Sequence, residues 1–436
     1  MTAAADTDIT VRDARVSFRE IDLDHPFMIS GRAITWFTLA LVDVVATNRR
    51  GEAATGRGAS VLSVPWSWPT SRLDVRGRDA ALRRLTERFA HAALGAEPAD
   101  PVGTWLRLHQ TVADTGAAVE DVPAPEPIPR LAALLCLGAV DNALHDAWAR
   151  AAGRPAHTMY TPDHLAHDLG ACVDPTLAGR YPGEFLTAPR RRLPVQHVVG
   201  TADPLRPGDA GGARSLEEWL RRDGVRHVKI KVPGRDPDAD ARRIAEVHRV
   251  ASARTADVVL SVDPNEGYPG PAALGAMLDA LAATAPDAFQ AVAFVEQPWP
   301  RDSSPDPAAV REQSRRRPVL MDESLHDPAQ LRHVRSDGWS GVVVKAGKGQ
   351  TPALLTYAFA RAHGLFVTMQ DLTAVDAALA HSARLASVFD LSAPHLEYNS
   401  RQYAPTGNRD LAGRQPSLVT VDDGVIVLDE PTAGIY

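Results

Sequence analysis

Lysine is almost missing from this chain. Lys and Arg together number 47 in 436 residues, and all but four are arginine; the four lysines are Lys229, Lys231, Lys345 and Lys348. A composition that uses arginine wherever a surface cation serves leaves two tight lysine pairs to be explained by what arginine cannot do. A guanidinium stays protonated, whereas a buried or charge-crowded ammonium can release its proton and act as a general base. Cysteine is scarce too. Cys136 and Cys172 sit in apolar stretches without CxxC spacing, which argues against thiolate metal sites and suits a reducing compartment. No apolar run approaches the roughly 18 residues of a membrane span, and the opening MTAAADTDITVRDARV is not a basic segment followed by an apolar one. The expectation is a cytoplasmic protein with no membrane partner. Basic excess is also lacking: the net charge of −7 and pI near 6.1 disfavour nucleic acid as partner. The arginine triplets at 190–192 and 315–317 read as solvated loop charge.

What is present is a repeating sentence. Mean hydropathy of −0.18 and a hydrophobic content of 44% describe an ordinary globular chain. From about residue 190 a short β-branched run, a polar loop and a Pro-opened helix recur. The runs are VQHVV (195–199), VRHVKIKV (225–232), ADVVLSVD (256–263), AVAFVE (291–296), PVLMD (318–322), GVVVK (341–345), GLFVTMQ (364–370) and HLEY (395–398). They are continuously apolar instead of alternating, as strands covered on both faces are. The helices between them open on Asp-Pro or Thr-Pro, as in DPDADARRIAEVHRVA, DPAAVREQ, DPAQLRHV and TPALLTYAFARA, where a cap oxygen precedes proline at the first helical position. Eight such units predict an α/β fold, a (β/α)8-type barrel. A Rossmann-type sheet is the alternative, but no GxGxxG follows an early strand. The first 150 residues read as α+β instead: antiparallel strands around the turn NRRG, then helices near 77–95 and 129–152, joined by the Pro-rich connector VPAPEPIP (122–129). LVTVDDGVIVLDEP predicts a late hairpin that returns to the first domain. The expected division is 1–155, a capping domain; 156–402, the barrel; and 403–436, a segment completing the cap.

Chemical residues of a barrel sit where its strands end. Lys231, Asp263, Glu296, Asp322 and Lys345 close successive runs at intervals of 32, 33, 26 and 23 residues, about one βα unit each. Three carboxylates converging in a dry site need a cation, and hard oxygen ligands without His or Cys select Mg2+ (or Mn2+). Asn265, two residues past Asp263, points to the same side of an extended chain and would support the metal or the substrate. Lys229 and Lys231 share a strand face, so two close ammonium groups are expected to lower each other's pKa and leave one able to accept a proton. Lys345 would approach a bound substrate from the opposite side. The natural reaction for a dication between two lysines is removal of a proton next to a carboxylate, with the resulting enediolate stabilised by charge.

This arrangement resembles the enolase superfamily, and specifically its muconate lactonizing enzyme branch, over nearly the whole chain. KIK is similar to the family's KxK motif, DPN, VEQP and DES to its metal-ligand motifs, and KAGKG to its sixth-strand lysine motif. The resemblance implies a modified TIM barrel with an N-terminal α+β cap, Lys231 as base with Lys229 as its electrostatic neighbour, Lys345 opposite, and Asp263, Glu296 and Asp322 as ligands of Mg2+. Glu323 competes with Asp322 for the third ligand position, and the DES pattern favours Asp322. The His–Asp dyad of the mandelate racemase branch is missing: the matching stretches read TMQDLTA and VVVKAG. PHLEYNS lacks the DxD pattern of dipeptide epimerases, which argues against that activity. Glu397 resembles the Glu that hydrogen-bonds a substrate carboxylate oxygen in mandelate racemase, with a structural salt bridge as the alternative. Asp371 stands at a rim position where it touches substrate or caps a helix. Specificity in this family comes from a cap loop, here DLDHPFMISG (22–31), in which Phe27 and Met28 would wall the pocket.

The expected function is thus Mg2+-dependent α-proton abstraction from a small carboxylate, as racemase, epimerase, cycloisomerase or dehydratase, in a homo-oligomer. A metal-free Schiff-base aldolase and a non-catalytic binding protein on the same frame are the alternatives.

Overall fold

The structure, a computed structural model, describes residues 5–29, 31–114, 126–209 and 213–436. It opens on three antiparallel strands, β1 (Ile9–Ile29), β2 (Arg32–Asn48) and β3 (Ala53–Leu62), followed by helices α1 (Val64–Ser67), α2 (Val75–Ala92), α3 (Pro101–Asp114) and α4 (Arg130–Ala151). The turn NRRG does join β2 to β3. Segment 22–31, expected as a loop, is instead mostly the far end of the 21-residue β1, paired with β2 through a register shift between Asp22 and Phe27. Of the Pro-rich connector, residues 122–125 lie outside the described residues.

Helix α4 is buried on nearly every face, and two glycines let it lie directly on the sheet. A Cβ at Gly56 would stand 2.1 Å from the Ala147 nitrogen, and one at Gly58 2.1 Å from the Ala139 oxygen, so any larger residue would push the helix away.

Eight parallel strands follow: β4 (Arg192–Val199), β5 (His227–Lys231), β6 (Val259–Asp263), β7 (Val292–Glu296), β8 (Val319–Met321), β9 (Gly341–Val344), β10 (Phe366–Met369) and β11 (Leu396–Glu397). All eight runs read from the sequence are strands. They pair in chain order, and β11 returns to pair with β4. Between β10 and β11 Ser392 bridges the seam, its nitrogen donating to the Val367 oxygen (2.8 Å) and its hydroxyl accepting from the Val367 nitrogen (3.1 Å). The Asp-Pro helices carry their expected caps at Asp236 and Asp306, but DPAQLRHV closes only a 3-10 turn.

The expected late hairpin does not form: Pro416–Val419 is helical, and a single strand, β12 (Val425–Val427), pairs with the start of β4 in the barrel instead of the first domain, while Ile435 reaches α4 and donates to Asp146 (2.8 Å). The arginine triplets are not free loop charge: Arg190 donates to the Ala386 and Phe389 oxygens, and Arg317 to the Phe289 oxygen. They tie strand ends to neighbouring helices. Among the described residues no helix is long and apolar enough to cross a membrane.

The antiparallel sheet and the barrel are locked by α4. Asp141, fully buried, accepts from both the nitrogen (2.7 Å) and the hydroxyl (2.8 Å) of Thr351, while Asn142 accepts from the Gln350 nitrogen (2.8 Å). Helix Gln350–Ala362 thereby receives its N-terminal cap from another part of the chain. One turn earlier, a Cβ on Gly138 would lie 2.4 Å from the Gly347 oxygen, so α4 rests on the loop that carries Lys345 and Lys348. Asp141→Ala strands two buried donors and uncaps the helix; a loss of about 2 to 4 kcal/mol in urea unfolding is expected. A loss under about 0.5 kcal/mol, the range of an uninvolved surface substitution, contradicts this lock.

Candidate active site

The parallel strands deliver their terminal side chains to one buried cluster at their C-terminal ends. Lys229 and Lys231 are alternate residues of β5 and therefore face the same way. The ammonium of Lys229 lies 2.7 Å from Glu296, 2.9 Å from Asp263 and 3.2 Å from Glu397. That of Lys231 lies 2.5 Å from Asp263 and 2.7 Å from the Asn265 side-chain oxygen. Across the barrel, Lys345 reaches Asp322 at 3.0 Å and Glu296 at 3.5 Å. Asp263, Glu296 and Asp322 therefore belong to one continuous chain of charge contacts.

Burial by itself disfavours the charged form of Lys229 and Lys345, and the sequence predicts a lowered Lys229. The carboxylates decide otherwise. Burial lowers the pKa of Lys229, but Asp263, Glu296 and Glu397 together lift it well above the ordinary lysine value. Lys345 is raised in the same way by Asp322 and Glu296. Lys348 is the exception, since burial outweighs its single close carboxylate, Asp322, and lowers it.

Six carboxyl groups are buried here (Asp263, Glu296, Asp322, Glu323, Asp371 and Glu397) against the four lysines, an excess of two negative charges when all are ionised. The strain appears in the acids. Burial and the charge of Asp263 raise Glu296 to about 7; burial and Asp322 raise Glu323 to about 8; burial raises Asp371 to about 7. Asp322, burial notwithstanding, is lowered to about 2 by Lys345 and Lys348. Buried oxygens of Glu296 (Oε1), Asp322 (Oδ2) and Glu323 (Oε2) lack a well-directed hydrogen bond, the first two facing the Lys345 ammonium at 3.5 and 3.0 Å. A surplus of two charges with unbonded hard oxygens fits a dication of the Mg2+ type. The present spacing is that of ion pairs: among the described residues no three His, Cys, Asp or Glu converge as a ligand set, and ammonium groups stand between the acids.

Four supporting residues escaped the reading of the sequence for roles. Lys348 donates to the Asp322 backbone oxygen (2.8 Å), to its carboxylate (3.2 Å) and to the Leu325 oxygen (2.9 Å), fixing the loop after β8. Gln297 accepts from the Asp322 (3.0 Å) and Ser324 (3.1 Å) nitrogens and holds the same loop from β7. Trp66, on α1, donates its indole N–H to Glu323 (2.9 Å) and lays its ring 5.3 Å from the Lys345 ammonium. Arg301 donates to the Trp66 carbonyl (2.8 Å) while pairing with Glu266. Lys348 and Gln297 lie within the KAGKG and VEQP motifs, whereas no local pattern marks Trp66 or Arg301.

Glu323 takes hydrogen bonds from Trp66 and Asn265 (3.1 Å) and lies off the lysine chain that holds Asp322. Glu397 accepts from Lys229 and from the Asp371 nitrogen (3.2 Å). Asp371 accepts from the Leu372 nitrogen (2.7 Å) and the Ser382 hydroxyl. Backbone strain gathers at this rim: Asn265, Glu266, Gln297, Thr373 and Asp376 all have φ between 31° and 67° without being glycine.

A cleft opens above the cluster, bordered by Lys231, Lys345, Asn265, Asp371 and Glu397 from the barrel and by Phe27 and Trp66 from the N-terminal region. Met28 does not share it. As Phe27's neighbour on a strand, it faces the other way, into a separate hollow behind Lys231 beside Arg235. The two were expected to wall one pocket, and the strand geometry of this segment separates them.

A family model described as "Enolase C-terminal domain-like" matches residues 212–435. An aromatic dipeptide epimerase of Herpetosiphon aurantiacus is 28% identical over 197 residues, 44% of this chain and 52% of that protein, so the match spans about half the length of this relative. Among solved structures, a dipeptide epimerase from Enterococcus faecalis complexed with Mg and L-Leu-L-Tyr superposes with a TM-score of 0.66 at 18% identity, covering 98% of this chain and 99% of that one. A mandelate racemase/muconate lactonizing protein from Herpetosiphon aurantiacus gives 0.63 at 21% identity over 98% and 97%.

Proposed function

The chain belongs to the enolase superfamily, with its mandelate racemase/muconate lactonizing enzyme-like members, and on that premise we propose that it catalyses Mg2+-dependent α-proton transfer on a small carboxylate, epimerisation or racemisation being the leading reaction. One observation carries this reading. Lys231 ends β5 and Lys345 directly follows β9, four strands apart in a ring of eight, and both border the same cavity with acids between them. Two amines on opposite sides of one substrate can remove a proton from one face and return another to the opposite face, which inverts the α-carbon.

In this reading Lys231 is the base in one direction. The α-C–H bond breaks, its proton passes to the Lys231 nitrogen, and the electron pair spreads into the substrate carboxylate. Lys345, kept ionised by Asp322 and Glu296, delivers its proton to the other face; the roles exchange in reverse. Lys229 holds Asp263, Glu296 and Glu397 together and sets the field at Lys231. Asp263, Glu296 and Asp322 are the residues to hold Mg2+, which supplies the positive charge that a carboxylate α-carbanion requires. Asn265 orients Lys231, and Asp371 and Glu397 line the substrate side. The Enterococcus faecalis structure, with Mg and a dipeptide bound on this fold, supports a metal and an α-amino-acid carboxylate as partners.

The test is solvent exchange. In D2O with Mg2+, the protein is expected to introduce α-deuterium into members of a carboxylate library and to interconvert their stereoisomers, and EDTA is expected to stop both. Exchange that survives complete removal of divalent ions rules out the metal half of the proposal; no exchange on any α-hydrogen carboxylate rules out the reaction.

A further inference from the structure

Resting on that reading, we propose that the substrate is a carboxylate whose distal portion is a large, uncharged apolar group, and that a distal ammonium is excluded. The cavity has two unlike halves. Its floor carries Lys231, Lys345, Asp371 and Glu397; the wall contributed by the N-terminal strands and α1 carries Phe27, Ile29, Ile34, Trp36, Phe37 and Trp66. No charged side chain of the N-terminal region borders it among the described residues, and Ser63 is the polar exception there. At the mouth stands Val75, the one large apolar side chain counted as exposed among the described residues, at 38%. The apolar surface therefore runs from the entrance to the charged floor.

Such a wall discriminates in both directions. Each methylene buried against it gains about fourfold in affinity. A distal ammonium entering the same space gives up its hydration and meets no carboxylate. The acids on the floor belong to the reacting end of the cavity and are already partly engaged. Both Asp371 oxygens already accept hydrogen bonds, and Glu397 is engaged by Lys229 beside the reacting end. The end of β11 offers Glu397, Tyr398 and then Asn399, so the second cavity-lining position is neutral.

A matched pair tests the assignment. Octanoate and 8-aminooctanoate are titrated into the Mg2+-supplemented protein by calorimetry, and α-deuterium exchange is compared on N-octanoyl-alanine and N-(8-aminooctanoyl)-alanine. Octanoate is expected to bind at least about 10-fold tighter, and the octanoyl compound to exchange at least about 10-fold faster in kcat/KM. Ile34→Asp, which places a carboxylate in the apolar wall, is expected to bring each pair within about threefold, its fold checked by thermal melting. Equal or tighter binding of 8-aminooctanoate to the wild-type protein overturns the assignment whatever the exchange assay gives. Tighter binding of octanoate without exchange on any compound leaves the apolar-ligand assignment standing and defeats the proton-transfer reading.

Discussion

Lys231→Arg and Lys345→Arg are each expected to lower stereoisomer interconversion by at least about 10^3-fold while the fold is kept. General acid–base catalysis by one positioned group contributes about 10^2 to 10^4, and inversion needs both amines. Arginine retains the positive charge that Asp263 and Asn265 meet at position 231, and that Asp322 and Glu296 meet at 345, so the buried acids stay compensated. It cannot be neutral near pH 7 and so cannot accept the proton. The two variants should also differ from each other. With one amine intact, exchange from one stereoisomer persists without inversion, and the surviving stereoisomer switches between the variants. Proton NMR of each stereoisomer in D2O reads this directly. Normal interconversion by either variant contradicts the two-amine reading, and loss of the thermal transition would show a structural role instead.

Glu296→Gln is the second large effect. Glu296 stands between Lys229 and Lys345 and keeps one buried oxygen without a hydrogen bond. In the wild-type protein Mg2+ is expected to raise the thermal midpoint, since a ligand at 100 times its Kd stabilises the folded state by about 2.7 kcal/mol. The glutamine variant removes one proposed ligand and one of the two surplus charges. It should lose most of that Mg2+-dependent shift, together with at least about 10^3-fold in exchange, several kcal/mol of charge stabilisation being the contribution of a bound metal. An undiminished shift in the variant would place the ion elsewhere.

How much of this was legible beforehand differs element by element. The eight barrel strands stood out because each is a contiguous apolar run covered on both faces, a local signal. β1 did not. Its inner half reads DARVSFREIDLD, with charged side chains outward along most of its length, and its continuity depends on pairing with β2 through the shift after Asp22. A loop over this segment would let Met28 and Phe27 share a pocket; strand alternation sends them to different hollows.

The linear order of residues by itself determined which chemical groups arrive at the barrel rim. A strand's last side chain reaches the C-terminal face wherever the strand sits in the ring, so Lys231, Asp263, Glu296, Asp322 and Lys345 were assigned a common destination by spacing alone. Only the folded structure decided their charge state and their surroundings. A lysine's pKa depends on every carboxylate within a few ångströms, and Lys229 meets acids 34, 67 and 168 residues away, which turned an expected lowering into a rise. Trp66 at Glu323 and Asp141 at Thr351 join residues 257 and 210 apart; contacts of that range leave no periodic trace in a sequence, because they are set by how separately formed elements pack.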